Sequence, residues 1–167
     1  SRLLPVTAMA GPKQQPLPPD VEGREDATEV LRAFVLDGGL SIAQSFVHQN
    51  RIRQAASSLG AAVFCIEESV RYARERKPFG EALARNQAIQ FPLAELHADC
   101  EMIRNYIFRT AWKMDRQDPA QFSNEVSICN YKANDLVCRA ADFAMQVHGG
   151  LGYSRHMPFE HINRHHR

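Results

Sequence analysis

The chain has 167 residues, of which 44% are hydrophobic and 23% charged, and its 20 Lys and Arg nearly balance 19 Asp and Glu. This length and composition are ordinary for one globular domain, and the charge balance gives no electrostatic argument for a nucleic acid or an anionic membrane as partner. No apolar run approaches the ~20 residues of a membrane-spanning helix, and no secretory signal is recognisable, so a soluble chain is expected.

The N-terminal residues 1–24 are predicted to be a linker or disordered arm. They hold five prolines, which lack backbone donors, and few large apolar groups: Pro5, Pro12, Pro16, Pro18 and Pro19. A domain is predicted over residues 25–167. It opens with a short amphipathic helix over residues 25–36, for which Asp37, Gly38 and Gly39 form a stop signal.

From Leu40 the sequence predicts a long amphipathic helix. Its apolar residues recur three and four apart: Ile42, Phe46, Ile52, Ala56, Leu59, Val63, Ile66 and Val70. The helix is predicted to end near Arg76 and Lys77, because Pro78 disfavours helix in the residue before it.

Two further long helices are predicted. One has an apolar stripe from Ile89 to Met114, with Pro92 either in its first turn or deeper, where it would kink the helix. The other begins at Asp118 and Pro119, carries a stripe from Phe122 to Val147, and ends at Gly149 and Gly150. Pro158 is predicted to open a last short helix, Phe159 to His166.

The predicted fold class is therefore all-α, an antiparallel bundle of three long helices with short flanking helices. No strand-like alternation of useful length occurs. The four cysteines show no Cys-x-x-Cys spacing and are interpreted as small buried hydrophobic residues in a reducing compartment: Cys65, Cys100, Cys129 and Cys138. His161 and His165 lie four residues apart, but we expect a polar surface or subunit contact there and no metal site.

Three segments, in this order, resemble the C-terminal domain of acyl-CoA dehydrogenases. The first contains Asn50-Arg51-Ile52 and continues to Arg74-Glu75-Arg76-Lys77-Pro78-Phe79-Gly80, the second is Asn86-Gln87-Ala88-Ile89-Gln90-Phe91, and the third is Gln146-Val147-His148-Gly149-Gly150-Leu151-Gly152-Tyr153 followed by Pro158-Phe159-Glu160 and Arg164. The order and spacing of all three make the resemblance specific. Each segment alone would be weak.

The resemblance implies an oligomeric flavoprotein with FAD at the boundary between subunits. In the complete protein an acyl-CoA would be oxidised to the 2,3-enoyl-CoA. The resemblance also implies an intracellular location, which is the mitochondrial or peroxisomal matrix in a eukaryote and the cytoplasm in a bacterium.

Arg76 and Phe79 match the family's flavin-contacting arginine and phenylalanine. A guanidinium offers fixed donors to phosphate oxygens, and an aromatic ring packs on a flat heterocycle. Without the resemblance, the basic residues there would be read as complementing the helix C-terminus. Gln87 matches a polar residue near the flavin edge, whose alternative role is a hydrogen bond at the helix start.

The residues Gln146, Gly149 and Gly150 match the segment that contacts the adenine side of FAD in the neighbouring subunit. Glycine permits close backbone approach, and it serves equally well as a helix cap. Arg51 matches an arginine near the acyl-CoA site, with a solvated helical charge as the equal alternative.

A catalytic base is not expected within residues 1–167. The family most often supplies a glutamate from a Tyr-Glu-Gly or Thr-Glu-Gly loop after the region of Arg164, and the sequence given ends at Arg167. A minority of members place the glutamate at the position matched by Asn50, and asparagine has no titratable proton. Glu160 lies too early in the motif to replace it.

Two functional readings follow. The chain is interpreted as part of an FAD-dependent acyl-CoA dehydrogenase, inactive on its own, or as a helical module that keeps a flavin-binding or oligomerisation surface without dehydrogenation. With only three long helices, an apolar seam is expected to be exposed unless the helix near residues 25–36 or a partner subunit covers it.

Overall fold

The computed structural model describes residues 27–167, and the side chains of residues 39, 43–118 and 121–167. Four α-helices follow one another: α1 Ala27–Glu75, α2 Gln87–Met114, α3 Ser123–His148 and α4 Phe159–His166. Short 3-10 turns span Leu83–Arg85, Pro119–Phe122 and Gly149–Leu151, and no strand occurs within residues 27–167. The predicted all-α class and its three long helices are confirmed.

The predicted helix stop at residues 37–39 is wrong, because α1 continues through it from Ala27 to Glu75. Glycine in a helix interior costs only about 1 kcal/mol, so two glycines without a following proline do not force an end. Residues 42–167 form a compact unit, and the bundle lies within it. The predicted proline-rich arm, residues 1–24, falls outside the described residues.

Hydrogen bonds between α1 and α3 establish that these two helices are parallel. Arg51 Nη1 donates to Ser127 Oγ at 3.2 Å, and Ser58 Oγ donates to Asn134 Oδ1 at 2.7 Å. Both pairs are 76 residues apart in sequence, so a step along α1 is matched by an equal step along α3.

Ion pairs between α2 and α3 show the opposite order. Arg139 Nη2 contacts Asp99 Oδ2 at 2.7 Å, whereas Lys113 Nζ, farther along α2, contacts Glu125 Oε1, nearer the start of α3, at 3.4 Å. The two helices are therefore antiparallel. Consecutive helices alternate in direction, as expected for a bundle with short connections.

The core is centred on α3, whose buried positions are mostly small. They are Val126, Cys129, Ala133, Leu136, Val137, Ala140, Ala141, Ala144, Val147 and His148. The residues that meet this face include Ala55, Ala62 and Cys65 from α1 and Leu96 and Cys100 from α2. Small side chains on facing helices let the backbones approach closely, so the bundle is tightly packed around α3.

The predicted burial of the cysteines is confirmed for the three that lie in this core. Cys65, Cys100 and Cys129 are buried and free, while Cys138 is partly buried. Burial raises the pKa of the Cys65 thiol to about 12 and that of Cys100 to about 11. These thiols therefore stay protonated at neutral pH and act as apolar packing groups.

The first residues of α2 and α3 add detail to two of the predictions. Asn86 caps α2, since its Oδ1 accepts a hydrogen bond from the Ala88 amide at 2.9 Å. Pro92 is the sixth residue of α2, beyond the first turn, so the backbone there lacks one helical hydrogen bond. At the start of α3, a 3-10 turn beginning at Pro119 precedes the α-helix proper.

The last helix, α4, matches its predicted range and seals one side of the bundle. Phe159 at its start is fully buried, and its ring lies 6.4 Å from that of Phe64 on α1. Asn163 Nδ2 donates to the Cys138 carbonyl of α3 at 3.0 Å. Helix α4 thus lies against both α1 and α3. Within residues 27–167, no helix is long and apolar enough to cross a membrane.

We expect His48→Leu to increase the free energy of unfolding by about 1 kcal/mol. His48 is 2% exposed, and neither ring nitrogen has a hydrogen-bond partner. An apolar side chain of similar volume removes that desolvation cost. Urea denaturation measures the change. His156→Leu, at an exposed position, is the matched control and should change stability by less than about 0.5 kcal/mol. A destabilised His48→Leu protein would contradict the prediction.

Candidate functional site

All six residues predicted to contact flavin lie at one end of the bundle. There α1 and α3 end and α2 begins, since Tyr72 of α1 stacks on His148 of α3 with ring centroids 4.2 Å apart. The six residues follow or flank these helix ends, and all are exposed: Arg76, Phe79, Gln87, Gln146, Gly149 and Gly150. Two segments far apart in sequence thus supply one surface.

The loop between α1 and α2 holds Phe79 away from the bundle. The Leu83 amide donates to the Arg76 carbonyl at 2.9 Å, which closes the loop at its base. Gly80, with φ +86°, supplies the left-handed backbone needed for the turn. Phe79 is consequently 95% exposed, and its ring is available to stack on a planar partner.

The C-terminus of α3 forms the other half of the surface. Gly149 has φ +59°, which favours glycine, and its amide donates to the Gln146 carbonyl. A Cβ built on Gly149 or Gly150 would meet nothing within 4 Å. The backbone is therefore open on its outer side, and the cap and ligand-approach readings of these glycines remain compatible.

His148 anchors this end of the bundle and was not singled out from the sequence. Its ring lies between those of Tyr72 and Phe159, whose centroids are 4.2 and 4.7 Å away. Its Nδ1 lies 2.8 Å from the Ala144 carbonyl, so the neutral ring donates from that nitrogen. Burial lowers the pKa of His148 below its ordinary value, although the bond to Ala144 acts in the opposite direction.

Arg51, the residue predicted to position substrate, lies in a different region of the bundle. It is separated from Arg76 by 25 residues, which corresponds to about 38 Å along a helix. Its guanidinium bonds to Ser127, so it is held on α3 and is not a fully solvated charge. The neighbouring Asn50 accepts a hydrogen bond from Arg53. The residues predicted to bind substrate and those predicted to bind flavin thus lie in two separate regions of the bundle.

Gln87 occupies the first position of α2, but the capping role considered for it belongs to Asn86. Gln90 ties the preceding loop to α2, since its Nε2 donates to the Ala84 carbonyl at 2.6 Å. The side chain of Gln87 is left exposed beside the loop that carries Phe79.

A polar network inside the bundle also escaped prediction. Ser58 Oγ on α1 lies 2.7 Å from Asn134 Oδ1 on α3 and 3.2 Å from His166 Nδ1 on α4. Ser58 is fully buried. The network joins three helices that are distant in sequence, and the period of each helix taken alone contains no signal for it.

His161, His165 and Glu160 have contacts within α4. The rings of His161 and His165 stack with centroids 6.1 Å apart, and Glu160 pairs with Arg164 at 3.2 Å. Among the described residues, no group of three His, Cys, Asp or Glu side chains is arranged to hold a metal ion.

A cleft of about 930 Å³ lies between the C-terminal half of α1 and the N-terminal half of α2. Its apolar lining includes Val63, Ile66, Val70 and Leu93, and charged residues such as Arg74 also line it. The helix near residues 25–36, which was expected to cover an apolar seam, has its side chains outside the described residues, so that expectation stays a prediction.

Comparison with known proteins extends this picture. Residues 37–167 match the family described as "Acyl-CoA dehydrogenase, C-terminal domain". The chain is 34% identical to an acyl-CoA dehydrogenase of Bacillus subtilis (strain 168), over 83% of this chain and 37% of that protein. It is 35% identical to the mitochondrial short-chain specific acyl-CoA dehydrogenase of Bos taurus, over 77% of this chain and 30% of that protein.

The fold is similar to that of butyryl-CoA dehydrogenase from Megasphaera elsdenii. The TM-score is 0.70 at 30% identity, covering 77% of this chain and 33% of that structure. The chain spans about a third of the length of the relatives it matches.

We expect Gly152→Ala to destabilise the protein by about 2 kcal/mol. A Cβ at Gly152 would lie 2.7 Å from the Met145 carbonyl oxygen and 2.8 Å from Met145 Cα, and this backbone cannot move aside cheaply. Thermal or urea unfolding measures the loss. Gly150→Ala is the matched control, because its Cβ meets nothing within 4 Å. Equal stability of the two variants would contradict the close packing of Gly152.

The free energy of unfolding is expected to fall as the pH drops below 6.5. The folded-state pKa of His148 lies below its ordinary value of 6.5, so in this window the unfolded chain binds more protons than the folded chain. Above 6.5 the contribution is constant. His148→Phe, measured by urea denaturation at neutral and mildly acidic pH, should show a smaller drop. His166, whose pKa burial also lowers, accounts for part of the remainder. An unchanged pH dependence in His148→Phe would refute the assignment.

Proposed function

The chain belongs to the acyl-CoA dehydrogenase family, and we propose that it is the part of an FAD-dependent member that contacts FAD and neighbouring subunits. In the complete protein, the proposed reaction is oxidation of an acyl-CoA to a 2,3-enoyl-CoA. The observation that carries the proposal is the gathering of Arg76, Phe79, Gln146 and Gly149 with Gly150 at one exposed end of the bundle.

The chemistry of this end suits FAD. Phe79 presents an aromatic ring that is 95% exposed, which is unusual for a phenylalanine without a partner. Arg76 adds an exposed guanidinium that can donate to pyrophosphate oxygens. The open backbone at Gly149 and Gly150 leaves room for a flat ring to approach. Together these groups fit a dinucleotide with stacked, anionic and heterocyclic parts.

The residues of this chain would bind and orient, and the flavin would supply the hydride acceptor. Arg76 would hold phosphate, Phe79 would pack on a planar ring, and Gln87 and Gln146 would offer amide donors and acceptors to ring or ribose atoms. Arg51, in its separate region, would position the acyl-CoA. Its bond to Ser127 limits its freedom and so orients the guanidinium in advance.

The proton-abstracting step is not assigned to a residue of this chain. Asn50 stands where some family members carry the base, and its side chain accepts a bond from Arg53. Glu160 is paired with Arg164 on α4. The dehydrogenation proposed for the complete protein therefore needs a carboxylate from outside residues 1–167.

A second candidate function applies if neither of the family's two base positions is occupied, and Asn50 leaves one of the two without a titratable group. The helical domain would then serve as a flavin-binding or oligomerisation module that performs no dehydrogenation. The two candidates share the FAD surface. Acyl-CoA oxidation by the complete protein separates them, since the module would bind flavin and show no flavin bleaching when an acyl-CoA is added.

We expect the protein to retain FAD on a desalting column and Phe79→Ala to lose it. Because the Phe79 side chain touches almost nothing in the chain, its removal should leave the melting temperature unchanged. The readout is flavin absorbance per protein after desalting, together with a thermal melt. Phe46→Ala, at a position 61% exposed on α1, is the matched control and should retain FAD. Equal flavin retention by the Phe79→Ala protein, or none by the unmodified protein, would contradict the proposed site.

A further inference from the structure

Four of the seven histidines of the chain lie within residues 156–166, and the function proposed above uses none of them. Two of the four, His161 and His165, lie one helical turn apart on α4. Their ring centroids are 6.1 Å apart. The surroundings of this pair decide whether it can hold a ligand.

The inward face of α4 holds this short helix against the bundle. Phe159 is fully buried, and Asn163 Nδ2 donates to a backbone carbonyl of α3 at 3.0 Å. His166 Nδ1 lies 3.2 Å from Ser58 Oγ of α1. An isolated helix of this length is marginal in water, so these contacts are what keep α4 folded. The side chains on its outward face are therefore presented from a fixed backbone.

The side chains of His161 and His165 are both exposed on that outward face. Residues four apart on a helix are neighbours on its surface. Neither imidazole forms a hydrogen bond or an ion pair with a described residue. The carboxylate of Glu160 beside them is already paired with Arg164 at 3.2 Å. The nitrogens of the two rings therefore remain available to a ligand.

The separation of the two rings suits a shared metal ion. Imidazole nitrogens are good ligands for Zn²⁺, Ni²⁺ and Cu²⁺. With a metal–nitrogen distance of about 2.1 Å, two rings that bind one ion have centroids on the order of 5–6 Å apart. The observed 6.1 Å is close to this range, so a small rotation of the two side chains would bring one nitrogen of each ring to the same ion.

We propose that His161 and His165 form a surface site for one divalent transition-metal ion of the class that prefers imidazole, such as Zn²⁺. Among the described residues, no third His, Cys, Asp or Glu side chain completes a set of three, so water fills the other coordination positions. Structural zinc sites have four protein ligands and catalytic sites three, so this site exchanges its metal readily.

This proposal replaces the expectation of no metal site at the two histidines. Spacing alone did not favour a metal, because His161 and His165 lack the glutamate of a His-Glu-x-x-His motif. The structure adds a docked helix and two neighbouring rings without other polar partners. The site needs neither FAD nor an acyl-CoA, so the inference goes beyond the proposed function.

Metal binding at this site has a consequence for α4. An ion held by residues four apart connects two successive turns, and the folded helix alone holds the two rings in that position. The bound ion therefore favours the folded state over the unfolded state.

The test is a calorimetric titration of the full chain with Zn²⁺ and, separately, with Ni²⁺. The unmodified chain is expected to bind one ion at this site. His161→Ala and His165→Ala should each weaken binding by about tenfold or more, because a single imidazole remains. His156→Ala is the matched control, since His156 is exposed and belongs to no candidate metal group, and it should leave the affinity within about twofold.

Thermal melts of the same proteins provide a second readout. Without metal, the variants should melt with the unmodified chain, because the replaced side chains are exposed. With Zn²⁺, the unmodified chain should melt at a higher temperature than His161→Ala or His165→Ala. The cysteines are the same in all of them, so metal binding to the unfolded chain cancels in the comparison. Absence of Zn²⁺ and Ni²⁺ binding, equal affinity in all variants, or an equal effect of Zn²⁺ on all melting temperatures would overturn the inference.

Discussion

The packing of the bundle depends on the small size of the side chains that α3 buries. Its buried positions are dominated by alanine, valine and cysteine, and α1, α2 and α4 all pack against it. These small side chains let the neighbouring helices approach closely enough for direct hydrogen bonds between short side chains, such as that from Ser58 to Asn134. Larger residues at Ala133 or Ala141, which are fully buried, would separate the helices and remove these bonds.

The parallel register of α1 and α3 has a direct consequence for function. Because equal steps along the two helices stay matched, both helices end together, and the residues that follow them share one surface. His148 fixes this end through its contacts with Tyr72 and Phe159. The His148 ring is buried, stacks on Tyr72 and packs at an angle against Phe159, so the residue that precedes Gly149 is held in place and the glycine segment starts from a rigid position.

Different parts of α2 are proposed to have different tasks. Its N-terminus, capped by Asn86, lies beside the loop that presents Phe79. Its inner face supplies Leu96, Cys100 and other core residues, while its outer face carries exposed apolar side chains such as Met102 and Trp112. One 28-residue helix thus borders the proposed flavin surface and completes the core.

The sequence by itself determined the helices and the family. Apolar residues at helical spacing identified the three long helices and α4, and family motifs identified the flavin candidates and the asparagine at position 50. Periodicity reports which face of a helix is buried, and it therefore found most elements without knowledge of their neighbours. The predicted helix stop at Gly38 and Gly39 is wrong, because α1 continues through both glycines.

Only the tertiary structure decided which residues meet. The stacking of His148, the network of Ser58 with His166, and the separation of Arg51 from Arg76 all depend on how helices distant in sequence are placed. Phe79 and Met102 are exposed because no described part of the chain packs over them, and the sequence alone does not show this. A one-dimensional pattern carries no information on the register between helices, which is set by packing against α3.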